Sequence, residues 1–314
     1  MRVMIRRRSA LLVALSAVAG CAAAPLRPGE PHALAPGVYM LPGTGGAADE
    51  QNLGRIGNSG FIVGDSGVLA IDTGTSYLHG QTLLAAIAGV TDKPVRLALV
   101  THTRPEFLFG GAAFRERGIP VRMHSRTATL MASRCETCLK TLRQVVGEEP
   151  MLGTAMYKPD QQFDAGEELT LIGRPVRVLY FGHSSGPGDI AVLDVRSNVL
   201  FAGGLLDAQR VPDIQDGTLP GWREALAALR ALRVSTVVPG HGSATSSDVI
   251  GSVERYLDRL ETRVRAVVAA GESLIDVADA SELSEFAAWD QYETIHRRNA
   301  SVAYLRFERE LMFK

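Results

Sequence analysis

Apolar residues fall into short runs separated by turn-forming residues, and the spacing of those runs changes along the chain. Phe61-Ile62-Val63, Asp65-Ser66-Gly67 and Val68-Leu69-Ala70-Ile71 read as strand, turn and strand. Leu83 to Ile87 carries helical spacing, and Val95–Val100 reads as a buried strand ending at Thr101-His102. A helix over Glu106–Glu116, a short strand at Ile119–Met123 and a long helix from Ser125 follow. Strands are predicted again at Leu169–Ile172, Val176–Tyr180, Ile190–Leu193 and Val199–Ala202. Trp222, Leu226 and Leu229 mark a helix face, and Val237-Val238 marks a strand that runs into Pro239-Gly240-His241-Gly242. Beyond it, Val249, Val253, Tyr256, Leu257, Leu260, Val264 and Val267 recur at helical spacing, the pattern of a core-facing stripe. Two β-rich blocks interleaved with helices allow an α/β core of two sheets flanked by helices. No internal repeat or low-complexity segment is visible.

The first 36 residues break this pattern. Arg2, Arg6, Arg7 and Arg8 precede an apolar stretch from Leu11 to Val18, too short to span a bilayer, and the segment reads as an export signal over residues 1–20. Val18-Ala19-Gly20-Cys21 resembles the lipobox of bacterial lipoproteins. The resemblance implies lipidation of Cys21, export, and anchoring on the periplasmic side of a membrane; an ordinary signal cut near Ala24 is the alternative. Ala- and Pro-rich residues 21–36 then read as the lipidated cysteine and a tether, and residues 37–314 as one domain. Composition adds little: 46% hydrophobic, 21% charged and a formal net charge of −1 describe an ordinary folded chain, with no basic patch pointing to nucleic acid. Cys135 and Cys138 lie three apart on one helix face and read as structural; a redox pair and half of a zinc knuckle are the other readings.

Polar residues gather where strands give way to loops: Asp72, His102, Glu106, His183, Asp189 and His241. Strand ends on a rigid sheet are good places to hold a site. His124 ends a strand and is a candidate supporting residue, as is Asp189 beside His183. Gly43-Thr44-Gly45-Gly46 lacks the Lys-Ser/Thr of a phosphate loop and reads as a loop at the site mouth. His32 and His79 read as surface residues, and His296 with Asn299 as structural.

The ordered segments Ala70-Ile71-Asp72-Thr73-Gly74, Thr101-His102, Gly182-His183, Phe201-Ala202-Gly203-Gly204 and Pro239-Gly240-His241-Gly242 resemble the motifs of the metallo-β-lactamase superfamily. Within it, Asn52-Leu53-Gly54, Asn58-Ser59-Gly60-Phe61, Thr91-Asp92-Lys93-Pro94, Arg210-Val211-Pro212, Gly221-Trp222 and His296-Arg297-Arg298-Asn299 are similar to the quinoprotein relay system zinc metallohydrolases. The resemblance implies a four-layer αβ/βα sandwich. It also implies zinc-activated hydrolysis of a small-molecule ester, thioester or amide, in a setting of pyrroloquinoline quinone alcohol oxidation with a quinoprotein dehydrogenase or cytochrome c as partner.

The metal motif departs from that pattern. Where the family has His-x-His-x-Asp-His, this chain reads His102-Thr103-Arg104-Pro105-Glu106-Phe107, and Gly204 replaces the bridging Asp. Arg104 cannot ligate a cation, and Phe107 has no lone pair to give. Three readings stay open. His102, His183 and His241, with Glu106, gather at most one zinc. Alternatively the site is metal-free, with Arg104 paired to Glu106 or Asp72 and available to a small anion. Or the domain is a pseudoenzyme that binds a partner. Asp207, three residues past Gly204, is a distant substitute for the lost Asp.

Overall fold

The computed structural model describes residues 29–313; the export signal and Cys21 lie outside the described residues. Twelve strands form two sheets. The first runs in chain order: β1 (His32–Ala35), β2 (Val38–Leu41), β3 (Ser59–Val63), β4 (Val68–Ile71), β5 (Val95–Val100), β6 (Val121–His124) and β7 (Gln161–Phe163). It is antiparallel through β4 and parallel from β4 to β7. The second contains β8 (Glu167–Leu169), β9 (Val176–Tyr180), β10 (Ile190–Asp194), β11 (Val199–Gly203) and β12 (Thr236–Pro239), in the order β12-β11-β10-β9-β8. Only the β11–β12 pair in that sheet is parallel.

Helices cover the outer faces. On the first sheet lie α1 (Tyr77–Val90), α2 (Pro105–Leu108), α3 (Gly111–Glu116) and α4 (Ser125–Val146); on the second, α5 (Leu219–Ala231), α6 (Val249–Ala269), α7 (Val277–Ala280) and α8 (Arg297–Met312). Strand alternation explains how one sheet serves two cores. Ile62, Leu69, Ile71, Leu97 and Leu99 face the second sheet, where they meet Val176, Val178, Ile190, Val192 and Phe201. Their neighbours Phe61, Val68, Ala70, Ala98 and Val100 face the helices and pack on Leu83, Ile87, Phe114 and Met131. A third core joins the second sheet to Trp222, Tyr256, Leu260 and Phe307. Three apolar layers between four structural layers make the expected αβ/βα sandwich. No helix among the described residues is long and apolar enough to cross a membrane.

Local departures have local causes. The tether expected through residue 36 ends earlier: Gly37, at φ 77°, turns the chain so that His32–Ala35 pairs with β2. The helix predicted over 106–116 is broken between α2 and α3, because Gly110 packs directly on Thr73. A Cβ there would sit 1.8 Å from the Thr73 carbonyl oxygen. The strand expected at 169–172 stops at Leu169, since Gly173 at φ 73° closes a turn onto the Thr170 carbonyl. Strand β7 is too short and polar to be read from periodicity. His79, expected at the surface, is buried and accepts from the Thr75 amide.

Candidate functional site

The parallel strands deliver their C-terminal ends to one edge of the sandwich. After β4, Asp72 takes a left-handed conformation (φ 57°) that turns its carboxylate onto the end of β5. It accepts from the Thr101 amide at 2.8 Å and from the Thr101 hydroxyl at 2.9 Å. The same hydroxyl lies 2.7 Å from His102 Nδ1. With the Thr101 proton committed to Asp72, His102 donates from Nδ1 and presents a lone pair at Nε2. Nε2 is buried and has no hydrogen-bond partner. Burial brings the His102 ring down to about 3, with the Arg104 charge acting in the same sense, so it is neutral at ordinary pH. Burial raises Asp72 to about 7 despite its bonds from Thr101.

Arg104 caps α2, Pro105 starts it, and Glu106 sits in its first turn, where a helix favours negative charge. His241 follows β12, and its loop is pinned by Asn58. The Asn58 amide donates to the carbonyls of Pro239 and Gly242 at 2.8 Å each and accepts from the Gly43 amide at 2.9 Å.

The centre of the site is an ion-pair chain. Asp207 accepts from Arg104 at 3.2 Å and from His241 Nδ1 at 2.8 Å, and His241 Nε2 lies 3.1 Å from Glu106. Both His241 nitrogens face carboxylate oxygens. Burial works to raise Glu106, but the bond from His241 and the charges of His241 and Arg104 outweigh it and bring the carboxyl to about 2. Asp207 is likewise held below the ordinary range by His241 and Arg104 against the effect of burial. Phe107 completes the packing, with its ring centroid 4.2 Å from that of His102 and 5.3 Å from that of His241.

Several expected relationships differ. Arg104 pairs with Asp207, not with Glu106 or Asp72 by direct contact. His183 is exposed, and its Nε2 lies 2.6 Å from the Asp216 carbonyl rather than with His102 and His241. Asp189 does not orient His183; it accepts from Ser185 at 2.7 Å, and burial raises it to about 6. Its carboxylate occupies space opened by Gly204, where a Cβ would stand 2.8 Å from Asp189 Oδ2 and 2.9 Å from His102 Cδ2. His124 packs between Phe163 and Tyr180, caps α4 by accepting from the Arg126 amide, and lies away from the ion-pair chain. Loop 43–46 lines a second cavity of about 860 Å³ with Arg210 and Asp290, which holds none of the candidate site residues.

Zinc fits these residues poorly. Among the described residues, no group of three His, Cys, Asp or Glu side chains is placed to hold a metal ion. Of the donors that remain, Glu106, His241 and Asp207 are committed to one another, His102 Nε2 alone is unpartnered, and the Arg104 guanidinium stands among them.

A cavity of about 530 Å³ opens beside the chain, bounded by His102, Arg104, Glu106 and Asp189 on one side and by α4 on the other. Its polar end carries Arg134, paired through both nitrogens to Asp216, and Arg298, paired to Asp213 at 2.6 Å. Its apolar wall is Leu130, Leu142 and Val145. The sequence reading missed this wall; its signal is the apolar face of α4, indistinguishable in sequence from a core stripe. The motifs Arg210-Val211-Pro212 and His296-Arg297-Arg298-Asn299 meet as supports: Asn299 donates to the Pro212 carbonyl at 2.7 Å, and His296 lies 3.0 Å from the Tyr256 hydroxyl.

The family model of the metallo-beta-lactamase superfamily matches residues 53–241. A linear primary-alkylsulfatase from Pseudomonas sp. is 23% identical over 221 residues, which cover 59% of this chain and 41% of that relative. The chain thus spans less than half the length of that relative. A metallo-beta-lactamase from Pontibacter korlensis has a similar fold, with a TM-score of 0.59 and 20% identity over 73% of this chain and 98% of that one.

Proposed function

The chain belongs to the metallo-β-lactamase superfamily, and on that premise we propose that this hydrolase-like protein binds a small amphiphilic anion without the help of zinc. One observation carries the reading: Arg104, Asp207, His241 and Glu106 satisfy one another in a continuous ion-pair chain. A divalent cation entering there would face the Arg104 guanidinium and would have to strip His241 from its carboxylates. Arg104 and the His241 ring, held between the two carboxylates, take the place a metal would fill.

The cavity beside the chain supports the ligand class. The aliphatic wall suits a short tail, and Arg134 and Arg298 would take a sulfate, phosphate or carboxylate head by exchanging their partners Asp216 and Asp213 for it. The name of the Pseudomonas relative, a linear primary-alkylsulfatase, points to the same class of molecule: an alkyl chain with an anionic head.

Calorimetric titration of a medium-chain alkyl sulfate, with and without chelator, tests this. Binding is expected to survive the chelator and to weaken by about tenfold or more in Arg134→Gln, the loss of one charge-assisted contact. Binding or turnover that the chelator abolishes would overturn the proposal. The envelope setting and a quinoprotein dehydrogenase or cytochrome c partner are carried by the sequence motifs alone. Co-purification of such a partner with the tagged chain supports that setting, and its absence under oxidative growth on alcohols counts against it.

A further inference from the structure

The cavity wall carries two groups that ligand binding does not use. Cys138 lies half-buried on α4 and lines the cavity. Cys135, one turn earlier, is fully buried between α4 and the first sheet. Neither is in a disulfide. Residues three apart on a helix share a face, so both thiols lie on the same side of α4. The Cys138 thiol also lies 3.6 Å from the Arg134 carbonyl, one turn back.

The two thiols differ in character. The neighbouring Cys135 thiol and the Arg134 charge bring Cys138 down to about 7, against the effect of burial. The neighbouring Cys138 and burial push Cys135 well above the ordinary thiol range. One thiol is therefore reachable and about half ionised at neutral pH; the other is hidden and protonated.

We propose that Cys138 is a nucleophilic thiol that exchanges with small organic disulfides entering the cavity, and that Cys135 is its resolving partner. In the first step the Cys138 thiolate attacks one sulfur of RSSR. The S–S bond breaks, a mixed disulfide forms on Cys138, and RS⁻ leaves and takes up a proton. In the second step Cys135 loses its proton and attacks Cys138 Sγ, expelling the second RS⁻. The chain is oxidised by two electrons to the Cys135–Cys138 disulfide, and RSSR is reduced to two RSH. Helical neighbours at this spacing keep their Cβ atoms about 5–6 Å apart, whereas a disulfide needs about 3.5–4.5 Å. Closing the bond therefore tightens one turn of the cavity wall and leaves a strained, easily reduced disulfide. The inference does not depend on which anion the cavity binds.

The test treats the full chain with 2-hydroxyethyl disulfide and follows it by peptide mass mapping, which separates Cys21 from the pair. Wild type is expected to release two thiols per reacting chain and to lose two hydrogens from the 135–138 peptide. Cys135→Ser is expected to stop at a mixed disulfide on Cys138, and Cys138→Ser to leave Cys135 unmodified. Cys135→Ala repeats the trap if the serine perturbs the core. The exchange rate should level off above about pH 7, following Cys138. At pH 7, exchange at Cys138 no faster than in the urea-unfolded chain would overturn the nucleophile. A mixed disulfide that persists in wild type would overturn the resolving role.

Discussion

Asp207→Asn removes one charge from the centre of the site and changes little else. The Asp207 side chain is 1% exposed and holds Arg104, itself 20% exposed, at 3.2 Å. The amide keeps the shape and one acceptor for His241 but leaves the guanidinium without its partner. Removing one member of a buried ion pair costs about 3–5 kcal/mol. Arg104 keeps some contact with water and feels Glu106 nearby, which places the cost at the lower end, about 3 kcal/mol. An unfolding entropy of about 2.1 cal/mol/K per residue, over roughly 285 residues, gives ~0.6 kcal/mol/K, so the Tm should fall by about 5 °C. Urea denaturation with a parallel thermal scan, in chelator, measures both quantities. The double variant Arg104→Met/Asp207→Asn removes both charges and keeps an acceptor for His241, and should recover most of the loss, because no unpaired buried guanidinium remains. Asp207→Asn within about 0.5 kcal/mol of wild type, or a double variant less stable than either single, would refute the ion-pair chain as the organising element.

Gly204→Ala should destabilise by about 1–3 kcal/mol in the same denaturation assay, since its Cβ would crowd Asp189 and His102. Phe107→Ala should cost about 3–5 kcal/mol, because a fully buried ring is lost between two imidazoles. Stability should peak on the acid side of neutrality. The depressed Glu106 (about 2) and Asp207 contribute fully above the ordinary carboxylate range and lose their contribution as pH falls toward about 2. Asp72 and Asp189, raised to about 7 and about 6, contribute below that range and lose their contribution as pH rises through those values. Thermal scans across pH should show both limbs, and Asp72→Asn should flatten the decline between about pH 4 and pH 7.

The layered fold was legible because strand and helix periods differ and each run kept its period. Leu97–Val100 and Val199–Gly203 carry the uninterrupted apolar character of strands buried on both faces. The positions of His102 and His241 at strand ends were legible for the same reason. The pairing of the site was not. Asp207 lies three residues beyond the family's Asp position, and only the turn after β11 brings it to His241. Gly203 at φ 51° and the bond from the Leu205 amide to the Ala202 carbonyl make that turn, and the Ala208 amide then donates to the His241 carbonyl. His183 illustrates the converse. Its motif matched, but the loop from 213 to 218 folds over it and takes its ring to Asp216 and its carbonyl to Thr218. Such relationships depend on loop paths, which carry no periodic signal.

The central claim is that protein cations stand where this superfamily places metal. Elemental mass spectrometry of the full chain, purified without chelator and then soaked in zinc and desalted, tests it most directly, with His102→Ala and His241→Ala alongside. Zinc far below one per chain in all three proteins, with unchanged thermal stability in chelator, is the predicted result. About one zinc per chain in wild type that is lost in either variant would contradict it.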